Sequence, residues 1–174
     1  MMQDHDPRCE GADDAKVLAD IHEYGWHVVA IPEVDETPGW AFSIGLYKSF
    51  GHPEIILFGL DLELMHSIIN TIGDSVKAGI KFEVDGRYND LIDTYACTFK
   101  PVLPVWYYDF LGYANWFYKE TDYPVLQCFW PDKQHRYPWE THFEPNWIGA
   151  QPLLFYEQSD RARTTALLKS MEGE

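Results

Sequence analysis

Ser43 lies in the stretch Ala41-Phe42-Ser43-Ile44-Gly45, which comes close to the G-x-S-x-G pattern of an α/β-hydrolase nucleophile elbow. Ala41 replaces the first glycine. The elbow also needs a strand, a sharp turn and a helix. Here bulky Trp40, Phe42, Ile44 and Leu46 alternate with Ala41, Ser43 and Gly45 straight through the serine. Ser43 and Gly45 are therefore expected on the small face of a strand, a place where something else approaches closely. His52 and Glu54, in Gly51-His52-Pro53-Glu54, put an imidazole and a carboxylate two residues apart. Such a pair suits backbone hydrogen bonding in a loop first, ligand contact second and proton transfer third. A site bordering Ser43 and His52 is expected to recruit Arg87.

Trp130, Asp132, Arg136, Tyr137 and Trp139 form another cluster, with Arg87 and Tyr88 in the earlier Asp85-Gly86-Arg87-Tyr88. Arginines among aromatics clamp flat or anionic ligands by stacking and bidentate bonding. The plainer alternative is that the aromatics cover sheet edges and the arginines pair with carboxylates. His22, His27, His66, His135 and His142 show no H-x-x-x-H and no helical i, i+4 pair, so no metal site is expected. Cys9, Cys97 and Cys128 are odd in number with no C-x-x-C spacing, which argues against a disulfide framework and a zinc ribbon. Cys97 and Cys128 read as small hydrophobes.

The elements that must position these groups follow from periodicity. Val17, Leu18 and Ile21 form an apolar stripe closed by Gly25, predicting a helix over 14–24. His27 to Val34 and the alternating run from Trp40 flank the polar Asp35-Glu36-Thr37-Pro38-Gly39, as in a hairpin. Residues 48–53 read as a loop. EIILFGL is a continuous apolar run, as expected of a central strand covered on both faces. Asp61 is placed to cap a helix over 62–78, whose Leu62, Met65, Ile69, Ile72 and Val76 recur at spacings of three and four. IKFEV and TYACTFKPV read as antiparallel strands around a turn at DGRYND. An aromatic helix over 105–120 and a last strand at YPVLQCFW follow. The proline- and aromatic-rich stretch after it reads as an ordered loop.

Across 174 residues, 28 acidic side chains against 13 basic ones leave a formal charge of −15, while 46% of residues are hydrophobic and 16% aromatic. So much large apolar side chain demands a core. The charge repels phosphate backbones, so nucleic-acid binding is not expected, whereas a basic protein partner is attracted. No apolar run reaches bilayer-spanning length, and the first residues lack the basic and apolar regions of an export signal. A cytoplasmic protein with reduced thiols, and no membrane association, is expected.

Several segments, HEYGWHVVAI, FSIGLYKSFGHPEIILFGL, AGIKFEVDGRYNDLI, YPVLQCFWPD and RYPWE, together resemble the bacterial domain of unknown function 4262 family. The likeness runs from about Ile21 to Leu154. It implies a stand-alone bacterial domain and carries no activity with it.

The expected architecture is α+β: a mostly antiparallel sheet or split-barrel-like core with three or so helices. Residues 1–12 read as a loose acidic lead, 13–156 as a single domain and 157–174 as a tail with a short helical pattern. The expected function is a protein-interaction or ligand-binding module, neutralising a basic partner as an immunity protein does a toxin. The alternative is a small enzyme or binder of a flavin-like or aromatic phosphate ligand. The candidate binding residues are Ser43, Gly45, His52, Glu54, Arg87, Tyr88, Trp130 and Arg136. The cofactor is left unassigned, and no catalytic residue is named.

Overall fold

The computed structural model describes residues 12–119 and 122–157. The expectations for the acidic lead and for the tail fall largely outside these residues. Five residues without an exposed side chain, Glu54–Phe58, form β3, and such a strand must be covered on both faces. In chain order the other elements are α1 (Ala12–Tyr24), β1 (His27–Ile31), β2 (Trp40–Ile44), α2 (Leu46–Phe50), α3 (Leu62–Lys77), β4 (Arg87–Ile92), β5 (Tyr95–Pro101), α4 (Tyr107–Phe110), α5 (Gly112–Tyr118) and β6 (Val125–Phe129). Short 3-10 turns occupy Pro104–Trp106 and Pro145–Trp147.

The strands form one six-stranded sheet in the order β1-β2-β3-β6-β5-β4. Neighbours are antiparallel except β3 and β6, which run parallel with Glu54 opposite Val125 and Leu57 opposite Cys128. The domain is thus α+β around a mostly antiparallel sheet, and the order leaves β1 and β4 at opposite edges of an open sheet. On one face, Val28, Ala41, Ile55 and Leu57 pack with Met65, Ile68, Ile69 and Ile72 of α3. On the other, Phe42, Ile44, Ile56 and Phe58 meet Val17 and Ile21 of α1 and Trp106, Tyr107, Leu111 and Ala114 of the α4–α5 region. The segment after β6 adds Tyr137, Trp139, Leu153 and Phe155 around Phe129.

Four expectations are corrected. The alternation from Trp40 stops at Ile44. Residues 46–50, read as the strand's end and a loop, instead form α2. IKFEV is not a strand, because the N–H groups of Phe82 and Glu83 donate to the side chains of His52 and Tyr88 and are lost to a ladder. The polar run expected to turn, from Arg87, is the edge strand β4; one solvated face tolerates its Asn and Asp. The aromatic helix is also broken, at Leu111, into α4 and α5.

The close fit of α3 to the sheet rests on Gly73. A Cβ added there would lie 2.4 Å from the Trp26 indole, and that ring is buried and held by its Nε1–H bond to Asn70 at 2.9 Å. In an open helix, alanine for glycine gains about 1 kcal/mol. Here the overlap should reverse the sign, so Gly73→Ala is expected to lose roughly 1–3 kcal/mol in urea unfolding. A gain in stability would contradict this packing.

Candidate functional site

The residues singled out around Ser43 do converge, but on one another. The Glu54 carboxylate is completely buried and accepts hydrogen bonds from five donors. Ser43 Oγ donates to it at 2.6 Å, and the backbone N–H groups of Gly45, Leu46 and Tyr47 donate at 2.8, 3.3 and 3.2 Å. The Tyr118 hydroxyl is the fifth donor, itself accepting from Lys48 N–H at 3.2 Å. Ser43 Oγ in turn accepts from Ile55 N–H at 2.9 Å. Glu54 therefore fills the amino end of α2 from within the protein.

Gly45 makes this geometry possible. Its φ of +115° is open to glycine, and a Cβ there would lie 2.6 Å from the carbonyl oxygen of Gly25. The small face of β2 is thus filled by the chain itself. Burial drives the Glu54 pKa up, opposed by the bonds from Ser43, Tyr118 and the backbone. The three backbone N–H groups can only donate, and the Ser43 and Tyr118 hydroxyls, each already accepting from another N–H, turn their protons to Glu54, so the cradle fits the carboxylate. Burial and the Glu54 charge push the Tyr118 phenol up, which keeps its donor proton in place. Although a turn and a helix do follow β2, Ser43 sits inside the strand and spends its hydroxyl on Glu54.

His52 lies beside this centre and faces elsewhere. Its Nδ1 donates to the Pro53 carbonyl at 2.8 Å, and its Nε2 accepts from Phe82 N–H at 3.1 Å. Both partners require the neutral ring with hydrogen on Nδ1. Burial pushes its pKa below the ordinary 6.5, Lys81 adding to the shift and the Pro53 bond opposing it. Arg87 stacks over the Tyr137 ring, 4.8 Å from its centroid. Tyr88 packs on Phe82 and Phe99 and accepts from Glu83 N–H. Arg136 lies 3.5 Å from Asp132 in an ion pair. These side chains do not meet at one place with Ser43.

Trp130 lines an open cleft of about 410 Å³ with Leu60, Leu64, Ile92, Tyr95 and Trp147. The cleft lies where β3 ends at Phe58 and β6 at Phe129, outside the carboxyl ends of the parallel pair. Each wall is fixed. Gly59 turns the chain out of β3 with φ +86°, and a Cβ there would strike the Ala150 carbonyl oxygen at 2.5 Å. Trp130 Nε1–H donates to the Phe58 carbonyl at 2.8 Å, and the Gln151 amide pairs with both backbone groups of Trp130 at 3.0 Å. Trp147 packs edge-on against Trp130 with centroids 5.5 Å apart. Asp132 accepts from Gln134, Arg136 and Glu144 N–H groups. Burial alone would raise its pKa; those bonds and Arg136 outweigh it and hold the carboxyl low.

Residues 20–144 match a family model described as a domain of unknown function (DUF4262). The chain belongs to that family. No curated protein and no solved structure matches it. Among the described residues no cluster of His, Cys, Asp or Glu is arranged to hold a metal ion, and no helix is long and apolar enough to cross a membrane. Cys97 and Cys128 are free and buried, brought together on adjacent strands. Of the cleft residues, Trp130 is among the candidates the sequence offers, and Leu64, Tyr95 and Trp147 are not. The signal for Leu64 was an apolar residue off the helix's buried stripe.

Two outcomes follow from the buried centre. Glu54→Gln points an amide N–H₂ at a set of donors, so a loss of about 2 kcal/mol or more is expected in urea unfolding. A near-neutral result would mean that Glu54 is protonated. For His52, whose folded pKa is depressed, the stability contribution is complete above the unfolded value and is lost as pH falls through the folded one. Stability should therefore fall more steeply from about pH 7 to pH 5 in the parent than in the non-titrating His52→Gln variant. Equal slopes would contradict the neutral ring.

Proposed function

We propose that the protein is a binding module that takes an apolar or aromatic group of a basic protein partner into the cleft at the carboxyl ends of β3 and β6. The observation that carries this reading is the cleft itself. Leu64 is 42% exposed in it beside two tryptophans already held in place, and an apolar surface left open on a fixed wall favours burial by a partner. The charge of −15 supports a basic partner, since complementarity speeds association and selects against other proteins. An immunity-protein-like role, neutralising a basic protein, agrees with both features.

The perturbed groups Glu54, His52 and Tyr118 have internal partners, which favours binding over catalysis. A flavin-like or aromatic phosphate ligand would use the same walls with Lys133. Asp61 and Asp132 line them too, which disfavours a dianion. A reducing bacterial cytoplasm is the proposed setting, in keeping with the free thiols.

Indole is a suitable probe. With nine heavy atoms in such a cleft, a Kd of about 1 mM is expected. In ¹⁵N NMR it should shift the Trp130 and Trp147 Nε1–H signals, and Leu64→Gln should weaken it about fivefold through lost apolar contact. Shifts confined to Trp26, in the separate cleft beside His27 and His66, would contradict the assignment.

A further inference from the structure

A second cavity, about 650 Å³, is lined by Pro32, Glu33, Asp35, Glu36 and Thr37 and shares Gly59, Leu60, Asp61 and Ala150 with the aromatic cleft. The two make one groove, aromatic at the Trp130–Trp147 end and acidic at the other. The acidic end is held in shape. Val34 and Thr37 bond each other in both directions, N–H to carbonyl, at 3.2 and 2.9 Å, with Asp35 at φ +56° in the turn between them. Glu33, Asp35 and Glu36 are exposed, and none of their carboxylates is ion-paired among the described residues.

We infer that this groove recognises an extended segment of a basic protein, with an aromatic or branched aliphatic anchor seated between Leu64 and Trp147 and arginine or lysine lying over Glu33, Asp35 and Glu36. The inference rests on the anchor site proposed above and adds the chemistry of what adjoins the anchor. Charge complementarity decides between occupants. A neutral apolar ligand would leave three neighbouring carboxylates unused, an anionic one would be repelled, and a cationic segment gains both contacts. Because the carboxylates stand on a closed turn, the backbone that carries them needs little ordering when the segment binds.

The probe is a capped heptapeptide, Arg-Arg-Gly-Trp-Gly-Arg-Arg, with arginines on both sides so that chain direction does not matter. One counterpart has serine for every arginine and another has serine for the tryptophan. Titrations use the parent, the E33Q/D35N/E36Q variant and a control, E23Q/E83Q/D90N, which removes equal charge elsewhere. Asparagine tolerates the positive φ at position 35, and unchanged melting curves confirm that the turn survives.

The basic peptide should bind the parent at least tenfold more tightly than the arginine-free one. That advantage should vanish in the groove variant, persist in the control and shrink with added salt. An advantage that survives the groove variant, or is lost equally in the control, overturns the inference and leaves the anchor site standing. Binding that does not need the tryptophan overturns it as well. If neither tryptophan peptide shifts the Trp130 and Trp147 indole signals, the anchor reading itself fails.

Discussion

A carboxylate buried without partners would cost many kcal/mol, and Glu54 is buried completely at the start of the central strand. What makes it tolerable is an arrangement that no local segment supplies alone. β2 provides Ser43, the first turn of α2 provides three N–H groups, and α5 provides Tyr118. Five donors on a group with about four lone-pair positions saturate it. Tyr118 stacks on Tyr123 with centroids 4.5 Å apart, Tyr123 bonds Asn115, and the Tyr107 hydroxyl bonds the Tyr123 carbonyl. The packing of α4 and α5 on the sheet is thereby tied to the same carboxylate.

β3 consequently has two ends with different roles. At its amino end polar groups are consumed internally, and Pro124 accepts the Glu54 N–H to begin the parallel pairing with β6. At its carboxyl end Gly59 turns the chain outward and aromatic side chains stand partly open. The polar groups that look like a site in the sequence bond one another, while the proposed anchor cleft is lined mostly by apolar side chains. Perturbed ionisable groups often mark function; here burial is the largest cause of each shift, and the hydrogen bonds of Glu54, His52 and Tyr118 end within the chain.

The central strand and α3 were legible in the sequence because a continuous apolar run and a three-and-four spacing leave few alternatives. The parallel pairing of β3 with β6 was not, since its partners lie far apart in the chain and nothing local specifies them. IKFEV misled because alternation reports which side chains are buried, and Phe82 is buried, while the backbone bonds of that segment go to His52 and Tyr88. Ser43, Gly45 and Glu54 were legible as unusual residues. That they belong to one another depends on α2, hidden behind a glycine and a proline. Trp130 could be singled out as an aromatic among charged loop residues. Leu64 and Trp147 gain their meaning from the meeting of two strand ends.

The proposed anchor site lies at the carboxyl end of β3, opposite the buried Glu54 centre at its amino end, and the proposed selection is by the acidic surface beside it. A crystal structure of the protein with the tryptophan–arginine heptapeptide tests that division most directly. The peptide indole is expected against Leu64 and Trp147, with a guanidinium near Glu33, Asp35 or Glu36 and the Glu54 centre unchanged. A peptide seated over Ser43, Tyr118 and Tyr47, or in the cleft beside Trp26 and His66, would contradict it.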